Sequence, residues 1–297
     1  MIKRSSLSFI LFFFIVTHLQ SYDLSIIKSG DVKNYDKIIS IFVNYTNLSY
    51  KIFNVNKVPE EKLTSSIAIA NPKAIFVIGA KAAVFALKNF PGKPIIYSMV
   101  KHEEIFSNVE NIAGVKGAVS TIKQMKVIRE TFPNISSIGI LYTNKTKKNT
   151  MLFRDAGVKL GIKINTYLIS SKSQLNSTLR KLYIDNDAFY LQLDPMFIFT
   201  DFVKSAIVKS IEYRKPVITF SPVIVKIGAV MAADINYGDV AKKAALITNN
   251  IVSKGIKPIK MKNIYPNPII YLNLFIARKL GIQIPDSVVD NALIIKK

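Results

Sequence analysis

The chain has 297 residues, 49% of them hydrophobic, and its 41 Lys and Arg against 19 Asp and Glu give a net charge of +22. That length and apolar content support two domains of ordinary size, each with its own core, and argue against disorder. Cysteine is absent, which excludes disulfides, thiolate catalysis and cysteine-ligated zinc; His18 and His102 are the only histidines, and removal of an N-terminal segment holding His18 would leave one and exclude a multi-histidine metal site.

The chain opens like a secretory signal. Lys3 and Arg4 precede the apolar run 7–17 (LSFILFFFIVT), and His18-Leu19-Gln20-Ser21 forms a polar exit. The run falls short of the ~20 apolar residues that span a bilayer. Residues 1–21 are therefore expected to be removed, leaving a periplasmic protein that carries no lipid, since no cysteine is available to accept one. Leu19 at the −3 position is not small, so retention as an N-terminal anchor is the alternative.

Short β-branched runs then alternate with amphipathic stretches. Strands are expected at 24–28, 50–54, 74–78 and 94–98, then at 137–142, 163–169, 188–193, 216–220 and 229–233. Helices are expected at 32–43, 80–88, 122–131, 149–160, 172–183 and 202–213, and a long one at 237–254. Loop chemistry sets the boundaries: Asp31 can cap the first helix, Asn236 the long one, and Asn71-Pro72, Gly92-Lys93-Pro94 and Phe132-Pro133-Asn134 stop helices ahead of strands. The result is two consecutive α/β blocks, about 22–118 and 119–235, followed by a long helix, a Lys/Pro-rich connector at 255–268 and a compact helical end. The fold class is α/β, two doubly wound parallel-sheet lobes with a cleft between them.

The charge does not read as a nucleic-acid surface. The lysines are scattered over polar helix positions, and the clusters Lys145, Lys147, Lys148 and Lys257, Lys260, Lys262 lack the interleaved aromatics of a stacking platform. His102 lies in the polar stretch Lys101-His102-Glu103-Glu104 and reads as a solvated loop residue. No Walker A motif, GxGxxG fingerprint or nucleophile elbow occurs, and no cofactor or catalytic residue is expected.

Seven short motifs, in order, resemble the solute-binding family of ABC transporters that includes the bacterial tryptophan- and tyrosine-binding proteins. They are Lys28-Ser29-Gly30-Asp31…Tyr35, Val77-Ile78-Gly79-Ala80-Lys81-Ala82, Asn111-Ile112-Ala113-Gly114-Val115, Pro133…Ile138-Gly139-Ile140-Leu141-Tyr142, Tyr190-Leu191-Gln192-Leu193-Asp194-Pro195, Gly228-Ala229, and Asn273…Ala277-Arg278-Lys279-Leu280-Gly281-Ile282-Gln283-Ile284-Pro285. The resemblance runs from about residue 26 to 293. It implies a type I periplasmic-binding fold and a monomer that closes on a small molecule, possessing no chemistry of its own, and a membrane permease that reads the closed state. A receptor in place of the permease is the alternative. Lobe 1 would comprise 22–118 and about 237–262, lobe 2 would comprise 119–236 and about 263–297, and hinges would fall near 118–120, 233–236 and 260–265. Three departures stand out, the first being Pro195 where the amino-acid-binding branch has Asn after its Asp. The loop after Tyr142, where the amino-acid-binding branch carries Glu, is Thr143-Asn144-Lys145-Thr146-Lys147-Lys148. Ala80 stands for that branch's Thr.

Ligands in open parallel sheets sit at the carboxyl ends of strands, beside helix N-termini. The candidates in lobe 1 are Ser29, with Asp31 beside it, the turn Gly79, Ala80 and Lys81, and Ser98. Those in lobe 2 are Tyr142, Thr143, Asp194 and Ser221, with Asn236 near the crossing. Asp194 is the strongest single polar candidate, because a carboxylate after an apolar run can accept from a ligand ammonium or hydroxyl.

Overall fold

A computed structural model describes residues 21–100, 106, 108–261 and 264–295. Residues 1–20 of the expected leader, His102 and Lys262 fall outside the described residues.

The first sheet has five parallel strands, β1 (Leu24–Lys28), β2 (Tyr50–Asn54), β3 (Ala74–Ile78), β4 (Ile95–Ser98) and β5 (Ile112–Val115), in the order β2-β1-β3-β4-β5. Strand alternation sorts its side chains into two cores. Phe76 and Ile78 of β3 join Ile38 and Phe42 of α1 (Lys33–Val43), together with Val240, Ala241 and Ala244 of α9 (Tyr237–Lys254). Ile75 and Val77 join Leu63 and Ile67 of α2 (Glu60–Ala70) and Ala82 and Ala83 of α3 (Ala80–Asn89). The rings of Phe42 and Phe76 stack at 4.2 Å, both fully buried.

The second sheet has seven strands: β6 (Ser137–Tyr142), β7 (Lys163–Leu168), β8 (Ala188–Leu191), β9 (Val217–Thr219), β10 (Met231–Ile235), β11 (Pro268–Leu272) and β12 (Leu293–Ile294). Their order is β12-β11-β10-β9-β8-β6-β7, and the β10/β11 pair is antiparallel. One face is covered by α4 (Thr121–Thr131), α5 (Lys147–Leu160), α10 (Leu274–Lys279) and α11 (Asp286–Val289). The other is covered by α6 (Leu175–Asp185), α7 (Thr200–Tyr213) and α8 (Pro222–Ile227).

The structure departs from the sequence reading at several places. Helix α2 was not anticipated: Thr64, Ser65 and Ser66 interrupt its apolar pattern, and the two serine hydroxyls satisfy themselves on the carbonyls of Glu61 and Lys62. Strand β5 is only four residues long and contains Gly114. Helix α8 is one short stretch behind Pro222 at its first position. The end of the chain is not purely helical, because β11 and β12 extend the second sheet; Pro268 is tolerated as the first residue of its strand. Finally, Asp31 does not cap α1. The N-cap is Val32, and the Asp31 carboxylate instead pairs with Lys28 at 3.0 Å and Lys57 at 2.7 Å.

Three segments connect the sheets: 116–120 after β5, Asn236 between β10 and α9, and the stretch ahead of β11. They are tied together. Val115 bridges to Ile264, and the Lys116 amide donates to the Ile264 carbonyl at 2.8 Å. Lys123 on α4 donates to the carbonyls of Tyr265 (2.9 Å) and Pro266 (3.3 Å) and to Asn267 Oδ1 (2.8 Å). Asp239, on the first turn of α9, accepts from the Asn267 amide at 2.6 Å and pairs with Lys243. Burial pushes the Lys123 ammonium down from the usual lysine range, and the positive charge of Lys243 adds to this.

Candidate ligand site at the strand edges

β5 and β10 each leave their sheet at the carboxyl end and pass straight into a connection. Both carboxyl edges are therefore turned toward the segments that join the lobes, and each carries a cavity.

In the first lobe, Gly79 makes the turn from β3 into α3 at φ +88°, a conformation that favours glycine. A Cβ there would lie 2.6 Å from Ser29 Oγ and 2.7 Å from the Tyr35 hydroxyl. Ser29 Oγ accepts from the Ala82 amide at 2.9 Å, satisfying one of the free donors of α3 from a neighbouring strand. The Ser29 carbonyl accepts from Asn56 Nδ2 at 2.8 Å, and Asn56 Oδ1 accepts from Lys81 Nζ at 3.2 Å. Ala80 and Lys81 are exposed. They line a cavity of about 480 Å³ with Asn56, Glu60, Phe85 and Lys88. Ser98 departs from the expectation of a hydroxyl facing the cleft: the residue is fully buried, on the side of Ile96, and its Oγ has no hydrogen-bond partner. Met99, next along, holds φ +56°.

In the second lobe, Thr143 follows β6 and Asp194 lies beyond β8. Asp194 is 1% exposed. Its Oδ2 accepts from the hydroxyls of Thr143 (2.6 Å) and Thr146 (2.8 Å), and its Oδ1 from the Met196 amide (2.9 Å). The carboxylate thus holds the 143–146 loop against the turn after β8, and none of these bonds leaves the lobe. Gln192, missed from the sequence, supports the same loop from below. It donates to the Leu141 carbonyl and Thr150 Oγ1 and accepts from Asn149 Nδ2. A cavity of about 410 Å³ opens above, lined by Thr143, Asn144, Lys145, Ser170, Lys172 and Asp194 among others. Tyr142 is half-buried at the end of β6, and its carbonyl accepts from the Ile169 amide. Ser221 is the half-buried N-cap of α8 rather than a strand end, with no side-chain capping bond. Asn236 Oδ1 accepts from the Asp239 amide at 3.0 Å, so its side chain is engaged as the cap of α9.

Asp234, near the end of β10, escaped the sequence reading because it stands inside the apolar run Met231–Ile235. Burial raises its carboxyl above the usual aspartate range, against a lowering bond from the Ile235 amide. Tyr237 and Tyr271 lie close enough to feel its charge, although burial is the larger reason that both phenols titrate high. Among the described residues, no helix is long and apolar enough to cross a membrane.

Residues 27–296 match the family model described as ABC transporter substrate binding protein. Among curated proteins, none matches the sequence significantly. Three solved structures convey the fold. A ligand-free, open substrate-binding protein with adhesive properties from Clostridium difficile is 21% identical, covering 93% of this chain and 99% of its own, with a TM-score of 0.72. An ABC domain in complex with L-Trp from Streptococcus pneumonia is 19% identical, covering 93% and 100%, with a TM-score of 0.54. A periplasmic ribose ABC transporter protein from Conexibacter woesei is 12% identical, covering 88% and 95%, with a TM-score of 0.55. The two parallel-dominated sheets are those of a type I periplasmic binding protein-like fold.

Proposed function

We propose, from the premise that this chain belongs to the family of ABC transporter substrate-binding proteins, that it is the exported solute-binding component of an ABC importer and holds its ligand between the two carboxyl strand edges. The family is one of binding proteins, not enzymes, and a small-molecule ligand follows from membership. On this reading the protein is a periplasmic monomer. Lobe 1 comprises 22–118 and about 237–262, and lobe 2 comprises 119–236 and about 263–297. The ligand touches one edge in the open form and both in the closed form. It shifts the balance only by its differential affinity for the two, and a membrane permease reads the closed state.

The observation that supports this reading is a cavity in each lobe lined in part by residues that follow the carboxyl ends of its strands, Asn56, Ala80 and Lys81 in one and Thr143, Ser170 and Asp194 in the other. Ala80, Lys81 and Thr143 line these cavities and are assigned to ligand contact, with Tyr142 at the rim. Gly79, Ser29 and Asn236 shape the turns behind them, and Asp194 positions Thr143 rather than meeting the ligand itself. Ser98 is assigned to the interior and Ser221 to the start of α8.

A thermal-shift panel of amino acids, sugars, nucleosides and organic anions tests the proposal. Ligand at 100 times its Kd stabilises the native state by about 2.7 kcal/mol, and one compound class should therefore raise Tm by roughly 5–10 °C. A flat response to the panel, with a rise only for heparin or nucleic acid, would replace solute binding with polyanion binding.

A further inference from the structure

The charges around the two cavities restrict what the ligand can be. In the lobe 2 cavity, Lys145 and Lys172 stand against the single carboxylate of Asp194. That carboxylate is buried and its oxygens accept from two hydroxyls and an amide, so it offers no free face to a cationic group. Lys172 is held with its Nζ 4.9 Å from the centroid of the Phe199 ring, and no ion pair among the described residues engages it or Lys145. Asn144 and Ser170 line the same space, as does Thr143, whose hydroxyl proton is given to Asp194.

The lobe 1 cavity repeats the pattern. Lys81 and Lys88 line it with one acid, Glu60, which already pairs with Lys88 at 2.9 Å and accepts from Asn89. Each cavity therefore carries one more cation than acid, and the lobe 2 cavity, whose one carboxylate is buried and engaged, offers none to an ammonium. Asp234, the acid near the hinge, lines neither. An amino-acid zwitterion seated in the lobe 2 cavity would bring an ammonium with no partner there, whereas an oxyanion would meet Lys145 and Lys172 together.

Resting on the solute-binding proposal, we infer that the ligand is an organic anion lacking an ammonium group, whose carboxylate or phosphate seats in the lobe 2 cavity against Lys145 and Lys172. Lys81 faces the same ligand from the other lobe.

Isothermal titration of the purified protein tests this with four probes: succinate, glycerol phosphate, L-tryptophan and ribose. An anionic probe should bind, more weakly as salt rises. Succinate and glycerol phosphate separate carboxylate from phosphate as the seated group. Lys145→Gln and Lys172→Gln should each weaken Kd by roughly tenfold, and Lys145→Gln, at an exposed position, should leave the unliganded Tm unchanged. Tryptophan or ribose binding where neither anion does, or an anion Kd unmoved by both substitutions, overturns the anion assignment and leaves solute binding intact. Silence of these probes and of the whole thermal-shift panel overturns both.

Discussion

Gly79 is the residue on which the first cavity turns. Alanine there would have to adopt φ +88° and bring its Cβ within 2.6 Å of the Ser29 oxygen that receives the Ala82 amide. Gly79→Ala should cost on the order of 1–3 kcal/mol in urea unfolding, and it should weaken ligand binding because it displaces the start of α3. Asp234 gives a second test at this scale, with the opposite sign. Its folded carboxyl titrates above the unfolded value, so the native state binds the extra proton and stability falls as pH rises through that window. Asp234→Asn should therefore leave stability near pH 4 little changed, raise it at neutral pH, and flatten the profile between. Asp31 works the other way. Lys57 first and Lys28 second hold it at about 2, so its ion pairs persist down to strongly acidic pH.

Elements show where the sequence was legible. The span 237–254 is read correctly to the residue because Asn236 supplies an N-cap, the apolar face is regular and Gly255 ends the helix in the left-handed region. Replacing that cap, Asn236→Ala, should cost about 1 kcal/mol, whereas Phe76→Ala, which opens a fully buried hole against Phe42, should cost about 3–5 kcal/mol; chemical denaturation of both variants checks the ordering. β3 (AIFVI) and β8 (AFYL), buried throughout, were equally plain, since each reads as a continuous apolar run. What the sequence concealed was short or chemically diluted: β5 with its glycine, the serine-interrupted α2, and β11 behind the Pro-rich connector. The candidate residues were legible as strand ends but not in role. Strand ends pointed to Gly79, Thr143 and Asp194, yet no sequence rule says that the Asp194 carboxylate is spent on Thr143, Thr146 and the Met196 amide. Nor could the burial of Ser98, or a lone acid such as Asp234 within an apolar strand, be read without the fold.

At the scale of the whole molecule, the two lobes meet through three crossings knotted by Lys123 and Asp239. Lys123 on α4 grips the third crossing, and Asp239 on α9 grips it from the other side. On the proposed reading the lobes rotate about this one compact hinge while each core stays intact. The absence of cysteine makes that motion directly measurable. Lys62→Cys on α2 and Lys148→Cys on α5, both exposed, accept one spin label per lobe. The interlabel distance, followed during titration with the same panel of amino acids, sugars, nucleosides and organic anions, should shorten and narrow for the class that raises Tm. A distance distribution that no compound changes, or a compound that raises Tm without moving the lobes, would contradict ligand capture by closure.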